Sequence, residues 1–510
     1  MNVSRRWFIG GAATLGAFQG CRFLESPLGR DGAARLKFGV ISDIHVIAEN
    51  VDRGRQGNTR TLRRAFRWFD AQGADGVIIA GDMADAGLVS QLQCVADAWN
   101  AVFPGGRSTL DGRPVERLFI YGNHDWEGFR YGYNIFGSKS GDLVEDHICN
   151  VGMKKVWEEI FEEEYQPIYR KVVKGYSFIG AHWDPANGSG WGRCPDIQPF
   201  LDKIGAELDP ALPFFYFQHP HPKDTCYGSW AWGHDDGRST RALSAYSNAI
   251  AFSGHSHYSL LDERGLWQGA FTSIGTGSLR YAGGPYDEYD AEGGFENTGG
   301  NAKNRKGSTG KLMPKLPTSN ERNGLLLAVY DDHITITRRD FVADCDLGPD
   351  WVMPLPVAES KPFAFAERAK SFPAPQFAEG AALKVERGQH VVGKPGDAKK
   401  DTAKKDAKAA AKPNEIEVFN LTVPAAVQSF ANRVWNYNVF AELKDGNPVV
   451  LVRRVLSPDY HLPIEKAVKE FVLPIPVADL PKGKEVRFAV TAVNCFGKFG
   501  KALESDYFTV

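Results

Sequence analysis

Five predicted strands of the sequence end in side chains that can bind metal ions. Each strand is an apolar run, and carboxylates, imidazoles or an amide follow it within a few residues. These side chains are Asp43 and His45, Asp82 and Asp85, Asn123, His124 and Asp125, His219 and His221, and His255 and His257. Because the carboxyl ends of parallel strands share one edge of a sheet, where ligands bind, we expect these groups to converge.

A converging set of this kind predicts a metal site. Taken singly, each motif has an ordinary interpretation: a helix cap, a tight turn or an Asx-turn. The ordered recurrence favours metal binding instead. Oxygen and imidazole ligands without thiolate suit manganese, iron or zinc. The ligands outnumber the needs of one ion, so we expect two transition metals about 3.5–4 Å apart, an arrangement suited to displacement at phosphorus.

The elements that must position these residues form a predicted parallel α/β domain between residues 36 and 345. Strands buried on both faces are predicted for LKFGVIS, DGVIIA, RLFIY, YSFIGA, LPFFYFQ and NAIAFSG. Helical spacing is found in NTRTLRRAFRWFDAQG, SQLQCVADAWNAVF and MKKVWEEIFEEEY. A hairpin in GLLLAVYDDHITITRRDF closes the domain. Strand–helix alternation of this kind implies parallel strands with crossover helices.

The motifs D-I-H, G-D-M-A-D, G-N-H-D, Q-H and G-H-S-H, in this order, resemble those of the calcineurin-like metallophosphoesterase superfamily. The resemblance covers residues 36 to about 345 and implies a four-layer α/β/β/α fold with two central sheets. It also implies the metal ligands, which are Asp43, His45 and His257 for one ion, Asn123, His219 and His255 for the other, and Asp82 as a bridge between both.

The resemblance further implies catalytic roles. A hydroxide held by the metals would attack phosphorus. His124 would stabilise or protonate the leaving oxygen without binding metal, and Asp85 would orient His124. Asp125 would fix the loop behind the ligands, with a plain Asx-turn as the alternative.

Two departures from branches of the superfamily bear on the substrate. The protein-phosphatase branch has a phosphate-gripping arginine where Ala86 stands here. The purple acid phosphatases have a tyrosine in place of Asp85 and a glycine in place of His45. Without that arginine, and with residues 283–323 as a wall beside the metals, we expect a phosphodiester or pyrophosphate rather than a monoester.

Two rival functions stay open. One is a strict phosphomonoesterase. The other is a surface binding protein with a vestigial enzyme domain, against which the complete ligand set argues. Further substrate contacts are predicted for His182 and Trp183 in GAHWDP, with core packing of Trp183 as the alternative, and for Arg280 and Tyr281 after SIGTGS.

Residues 1–35 are predicted to be a twin-arginine-type signal segment. Arg5 and Arg6 precede an apolar stretch that is shorter than the roughly 20 residues of a membrane span. Cys21 is a candidate lipid anchor, although Phe18 stands where leucine is usual. We therefore expect an exported, periplasmic or cell-surface protein with no transmembrane span in its mature form, either soluble or lipid-anchored.

The rest of the chain predicts a second domain. Residues 346–373 form a proline-rich connector, and residues 374–510 contain short strands with turns between them, typical of an antiparallel β-sandwich. VRFAVTAVNCFGKFG resembles a strand and turn of fibronectin type III domains. The basic tract at about 396–413 reads as a solvated insertion. Since the net charge is −2, no nucleic-acid binding is expected, and a small phosphate ester is the expected partner.

Overall fold

The structure is a computed structural model and describes most of the chain, namely residues 32–47, 57–128, 145–187, 194–229, 231–283, 295–297, 316, 319–392, 414–429, 432–446, 450–460, 462 and 466–510. From Ala34 onward these residues form one unit. Residues 1–31 of the predicted signal segment, Cys21 included, lie outside the described residues, as do the basic tract and most of residues 283–323. Among the helices of the described residues, none has the length and apolarity that a bilayer span requires.

The strands of the first 354 residues are β1 (Leu36–Ile41), β2 (Gly76–Ala80), β3 (Glu116–Ile120), β4 (Ile168–Val173), β5 (Tyr176–Ala181), β6 (Phe214–Phe217), β7 (Ala249–Ser253), β8 (Leu266–Gln268), β9 (Thr272–Gly275), β10 (Asn323–Val329), β11 (His333–Asp340), β12 (Cys345–Asp346) and β13 (Trp351–Pro354). The helices are α1 (Gly57–Ala71), α2 (Val89–Asn100), α3 (Asn123–Glu127), α4 (Ile148–Val151), α5 (Met153–Phe161), α6 (Gln198–Ile204), α7 (Arg238–Leu243) and α8 (Phe365–Ser371).

These strands form two mixed sheets. The first has the order β12-β11-β10-β1-β2-β3, with β13 also paired to β11, and β1, β2 and β3 run parallel. The second has the order β4-β5-β6-β7-β9-β8, in which β5, β6, β7 and β9 run parallel. The predicted parallel strands, the three helices and the β10–β11 hairpin are confirmed. β13 lies within the residues predicted as connector and extends the first sheet.

Alternate residues of each central strand enter different cores. In β2, Val77 and Ile79 pack with α1, α2 and α5, whereas Ile78 and Ala80 pack between the two sheets. Such burial on both faces explains why the strand is a continuous apolar run.

The second sheet divides its residues in the same way. In β6, Phe215 and Phe217 join the core between the sheets, and Phe214 and Tyr216 pack with α6 and α7 on the outer face. The order of layers is therefore helix, sheet, sheet, helix, and the predicted four-layer α/β/β/α fold is confirmed.

The C-terminal region is all-β. Its strands are β14 (Lys384–Val392), β15 (Asn414–Pro424), β16 (Asn436–Leu443), β17 (Val450–Leu456), β18 (Glu470–Pro476), β19 (Glu485–Val493), β20 (Leu503–Glu504) and β21 (Phe508–Thr509). One antiparallel sheet has the order β14-β15-β18, and the other has β17-β16-β19-β20 with β21 on β19. A core that includes Leu421, Val439 and Phe488 joins them. The likeness to fibronectin type III domains stays a prediction.

Candidate dinuclear metal site

The loops that follow β1 and β2 are tied together by main-chain hydrogen bonds. The N–H of Asp43 donates to the carbonyl of Gly81 (3.0 Å), and the N–H of His45 donates to the carbonyl of Asp82 (3.0 Å). Asp43, His45 and Asp82 have φ values of 51°, 49° and 52°, in the left-handed region that few non-glycine residues adopt. The hydrogen bonds hold this uncommon backbone, which brings the three side chains to one point.

Glycines let the loops that carry Asn123 and His255 come close to the carboxylates of Asp82 and Asp43. A Cβ on Gly122 would overlap the Oδ1 of Asp82, and a Cβ on Gly254 would overlap the Oδ2 of Asp43. The sharp turn into the Asn123 loop therefore requires glycine because backbone and ligand are in contact there.

One cluster of potential ligands contains Asp43, His45 and His257. The Nε2 of His257 lies 3.0 Å from the Oδ1 of Asp43. The Nε2 of His45 lies 3.1 Å from the Nε2 of His257 and 3.9 Å from the Oδ1 of Asp43. Three ligand atoms on β1 and β7 loops thus converge on one point, as the sequence predicts for the first ion.

A second cluster contains Asp82, His219 and His255. The Nε2 of His219 lies 3.1 Å from the Oδ2 of Asp82 and 3.2 Å from the Nδ1 of His255. The Nδ1–H of His219 donates to the carbonyl of Ala80 (2.8 Å), which turns Nε2 toward the cluster. The Oδ2 of Asp82 also lies 3.5 Å from the Nε2 of His45. Asp82 of the second cluster therefore also reaches the first cluster, as a bridging ligand would.

The chemistry of these donors fits two cations. Each cluster sets two imidazole nitrogens about 3 Å apart beside a carboxylate, where lone pairs repel unless a proton or a cation lies between them. Burial opposes the charge on Asp43 and Asp82, but the neighbouring histidines hold the pKa of each carboxyl below its usual range. Neutral imidazole and ionised carboxylate are the forms that bind metal.

Two histidines of the site carry raised pKa values. Burial opposes the charge on His45, but the neighbouring carboxylates of Asp43 and Asp85 raise its pKa to about 9. Burial likewise opposes the charge on His219, and Asp82 raises its pKa to about 9. Protons and metal ions therefore compete for the same nitrogens.

Asn123 and His124 open α3 directly beside Asp82. Asn123 is buried, and the N–H of His124 donates to the Oδ1 of Asp82 (2.8 Å). The Nδ1–H of His124 donates to the main-chain carbonyl of Asp85 (2.8 Å), and its ring lies 4.3 Å from that of His45. Burial, followed by the charge of His45, lowers the pKa of His124 to about 4.

Asp85 therefore orients His124 through its backbone and not through its carboxylate. The Oδ1 of that carboxylate lies 3.2 Å from the Nδ1 of His45 and forms an ion pair with Arg280. Arg280 and Tyr281 both lie at the site, since the ring of Tyr281 packs 4.6 Å from that of His257.

Asp125 fixes two ligand loops at once. One carboxylate oxygen accepts from the N–H of Gly122 (2.7 Å) at the start of α3, and the other accepts from the N–H of Ala84 (2.7 Å) in the Asp82 loop. Burial, with the charge of Asp82, raises the pKa of Asp125 to about 7. The supporting role predicted for Asp125 thus has a geometric basis beyond a local turn.

His182 and Trp183 lie behind the Asn123 loop. His182 is fully buried, and its Nδ1 accepts from the N–H of Tyr121 (3.1 Å), while the N–H of Trp183 donates to the carbonyl of Tyr121 (3.1 Å). The rings of Trp157 and Tyr165 pack against His182, and burial lowers its pKa to about 3. A neutral, enclosed imidazole supports the loop here, in contrast to the predicted substrate contact.

His221 has a similar supporting position. Its two ring nitrogens lie 2.7 Å from the hydroxyls of Ser253 and Ser256, the second of which stands between His255 and His257. Burial and the nearby histidines hold the pKa of His221 well below its usual range. The histidine therefore braces the last ligand loop in its neutral form.

Three residues of the site escape prediction from the sequence. Ser42 donates to the Oδ2 of Asp43, and Ser278 donates to the main-chain carbonyl of Asp43 (3.1 Å). Trp232 stacks on His255 with its ring centroid 4.5 Å away. Only Ser278 carried a signal in the sequence, because it ends the run SIGTGS, which begins in β9 and continues past it.

Comparison with known proteins agrees with this geometry. A family model described as calcineurin-like phosphoesterase matches residues 36–259. A search of curated proteins found no match.

Matching solved structures include a dimetal phosphatase from Danio rerio (13% identity, 63% of this chain and 99% of that chain covered, TM-score 0.34). They also include purple acid phosphatase PPD1 from yellow lupin seeds (14% identity, 64% and 56% covered, TM-score 0.38) and the phosphoesterase Yfce from E. coli (12% identity, 61% and 97% covered, TM-score 0.25). These likenesses are remote, so the assignment rests on the family match and the ligand geometry. Residues 36–259 form a calcineurin-like phosphoesterase domain, and the protein that carries them is a metal-dependent phosphoesterase.

Proposed function

We propose that the protein is an exported dinuclear-metal hydrolase of phosphodiesters or pyrophosphates, with a phosphomonoester as the alternative substrate. The observation that carries the proposal is that two clusters of potential ligands meet at Asp82, whose Oδ2 is close to His219 of its own cluster and to His45 of the other. Asp43, His45 and His257 would hold one ion, and Asn123, His219 and His255 the other, with Asp82 shared by both. When bound, the two ions, which we expect to be manganese, iron or zinc, supply Lewis-acid charge that activates water and neutralises phosphoryl oxygens.

The chain itself provides the proton-handling group. Hydrolysis forms one P–O bond with the oxygen of water and breaks the bond to the leaving oxygen, which must gain a proton. The carbonyl of Asp85 holds the Nδ1–H of neutral His124, so Nε2 would first take up a proton from solvent and then pass it to the leaving oxygen. His45 and Asp82 hold the ring and backbone of His124 beside the metal ligands.

The proposed preference for a diester is based on the positive charge that side chains near the candidate ligands can offer to phosphate. Ala86 is 2% exposed, and Gly128 packs so closely that an added Cβ would lie 2.9 Å from the Cα of Ala86. A phosphate-gripping side chain is therefore missing from this position. Arg280 is present, but the carboxylate of Asp85 already neutralises it. A doubly charged monoester finds less compensation here than a singly charged diester.

The test compares bis(4-nitrophenyl) phosphate with 4-nitrophenyl phosphate under identical metal loading. We expect a higher kcat/KM for the diester. A preference of roughly tenfold or more for the monoester, which is about 1.4 kcal/mol in transition-state binding, would overturn the diester assignment. Neither result would change the proposed assignment of the metal ligands.

Export is proposed from the sequence of residues 1–35, where an arginine pair precedes a short apolar stretch. Fractionation of cells that express the full chain tests it. The protein should reach the periplasm or cell surface, and R5K/R6K should retain it in the cytoplasm. Replacement of Cys21 by serine then separates a lipid-anchored form from a soluble one. Equal distribution of wild type and R5K/R6K would contradict a twin-arginine route.

A further inference from the structure

Trp232 presents an aromatic surface at the metal site. Its ring is nearly parallel to that of His255, at 21° with 4.5 Å between centroids. The residue is nevertheless 37% exposed, which makes it one of the few large apolar side chains open to solvent among the described residues. An indole that is partly exposed to solvent therefore stacks directly on a predicted metal ligand, His255.

The backbone holds this indole in place. Gly233 has φ 94°, and a Cβ there would lie 3.2 Å from the Cδ2 of His255, so only glycine lets the chain turn so close to the ligand. The N–H of His221 donates to the carbonyl of Gly233 (2.8 Å), and the N–H of Asp235 donates to the carbonyl of His221 (2.8 Å). The segment is therefore paired to the loop that carries His219.

The carboxylate of Asp235 anchors the segment a second time. It accepts from the Nε2 of Gln218 (3.0 Å), from the N–H of Lys223 (2.9 Å) and from the N–H of Gly237 (2.8 Å). Asp235 is buried. The indole is consequently fixed before any substrate arrives, and a ligand that stacks on it loses little to ordering of the protein.

The position of Trp232 indicates which part of a substrate it would meet. His124, which serves the leaving oxygen in the proposed function, packs against His45 of the first ligand cluster. Trp232 packs on His255 of the second cluster. A group on the other ester oxygen, which is not cleaved, would therefore lie toward Trp232. Flat rings, nucleobases included, stack favourably on aromatic side chains because each has a π-face.

We propose that Trp232 is the stacking surface for an aromatic group, an aryl ring or a nucleobase, on the ester oxygen of the substrate that is not cleaved. The proposal rests on the proposed phosphodiesterase function. It assigns a substrate class: diesters in which a flat ring lies close to phosphorus.

The experiment uses diesters that share one leaving group, 4-nitrophenolate, and differ in the other substituent. Phenyl 4-nitrophenyl phosphate and thymidine 5′-(4-nitrophenyl phosphate) carry rings, and ethyl 4-nitrophenyl phosphate does not. Trp232→Leu should lower kcat/KM about tenfold for the first two and less than twofold for the ethyl ester. Trp232→Phe should keep most of the activity on the ring-bearing esters. Tyr507→Leu, which changes an exposed aromatic of the C-terminal region, is the matched control.

The outcomes distinguish two roles for Trp232, which are binding of the substrate and structural support of His255. Equal losses on all three esters, or a loss of metal in Trp232→Leu by elemental analysis, would show that the indole only supports the ligand and would overturn the proposal. Unchanged kinetics would overturn it too. If the metal-loaded wild type hydrolyses none of the esters, the proposed function fails, and calorimetry then decides. Tighter binding of phenylphosphonate than of ethylphosphonate, abolished in Trp232→Leu, would support the stacking surface, and equal binding would refute it.

Discussion

At the residue scale, hydrogen bonds to neighbouring oxygens hold the histidines of the candidate site in place. The carbonyl of Ala80 holds the Nδ1 of His219, and the carboxylate of Asp85 holds the Nδ1 of His45, so the Nε2 of each ring faces the site. The main-chain carbonyl of Asp85 serves His124 in the same way. Asp85 therefore acts on two histidines through different atoms, which the sequence motif alone does not reveal.

His124→Asn should lower turnover and leave metal content unchanged. General acid–base groups contribute roughly 10²–10⁴-fold, and the loss should be smaller for leaving groups that need little protonation. The measurement compares kcat for 4-nitrophenyl and alkyl leaving groups in both proteins, with elemental analysis of each. If both kinds of ester lose activity by the same factor, His124 does not protonate the leaving oxygen.

At the element scale, the strand ends could be predicted because their signal is local. An apolar run followed within a few residues by carboxylate, imidazole or amide side chains marks a buried parallel strand, and β1, β2, β3, β6 and β7 all agree. The half-exposed edge strand β4 and the short strands β8 and β9 give no comparable pattern. They gain their conformation from pairing with neighbours.

Contacts between distant loops could not be predicted from the sequence, because they leave no local pattern. Trp232 lies in a run of turn residues, and nothing in that run indicates a histidine 23 positions later as its partner. His182 looks like a strand-end ligand of the same kind as the others, but aromatic side chains from α5, from β4 and from the residue after β3 enclose it. Only tertiary packing distinguishes the two cases.

Gly122→Ala tests the close approach of the α3 loop to the Asp82 loop. An added Cβ would overlap Asp82, so the two ligand loops must separate and metal affinity should fall. Gly388→Ala in β14 is a matched control, since its Cβ would meet the flexible amide end of Asn420 at 3.0 Å. Equilibrium dialysis measures the affinity of each variant. Wild-type affinity in Gly122→Ala would show that the loops tolerate separation.

At the scale of the whole molecule, the C-terminal sheets pack against the phosphoesterase part. Asn297 bonds both main-chain groups of Leu456 at 2.9 Å, and the guanidinium of Arg264 lies 3.7 Å above the ring of Trp435. A chain ending near residue 372 would expose this buried contact. The boundaries at 345 and 373 and the independent folding of residues 374–510 stay predictions.

Glu321 links the last ligand loop to the C-terminal region and makes stability depend on pH. Its Oε2 accepts from Ser259 (2.8 Å), and burial raises its pKa to about 7 despite the nearby charge of Arg433. The folded protein thus binds a proton that the unfolded chain releases near pH 4.5. This group's contribution to stability is therefore complete below about pH 4.5 and falls as pH rises to about 7.

Glu321→Gln removes this dependence because the amide does not ionise. The difference in Tm, variant minus wild type, should increase between pH 5 and pH 8, by the equivalent of a few kcal/mol at most. Thermal unfolding at matched ionic strength gives the difference, in which the other titrating groups cancel. A difference that does not change with pH would mean that Glu321 is ionised in the folded state.

We propose that Asp82 joins two metal ions in one site. The most direct test is elemental analysis after equilibrium dialysis against manganese, iron or zinc, for the wild type, Asp82→Asn and the exposed-site control Asp111→Asn. Because Asp82 lies 3.1 Å from His219 and 3.5 Å from His45, its loss weakens both clusters together. We predict close to two ions per chain in the wild type and the control, and a loss of most of both in Asp82→Asn. Full occupancy in Asp82→Asn, or a wild type that binds no metal, would contradict the account.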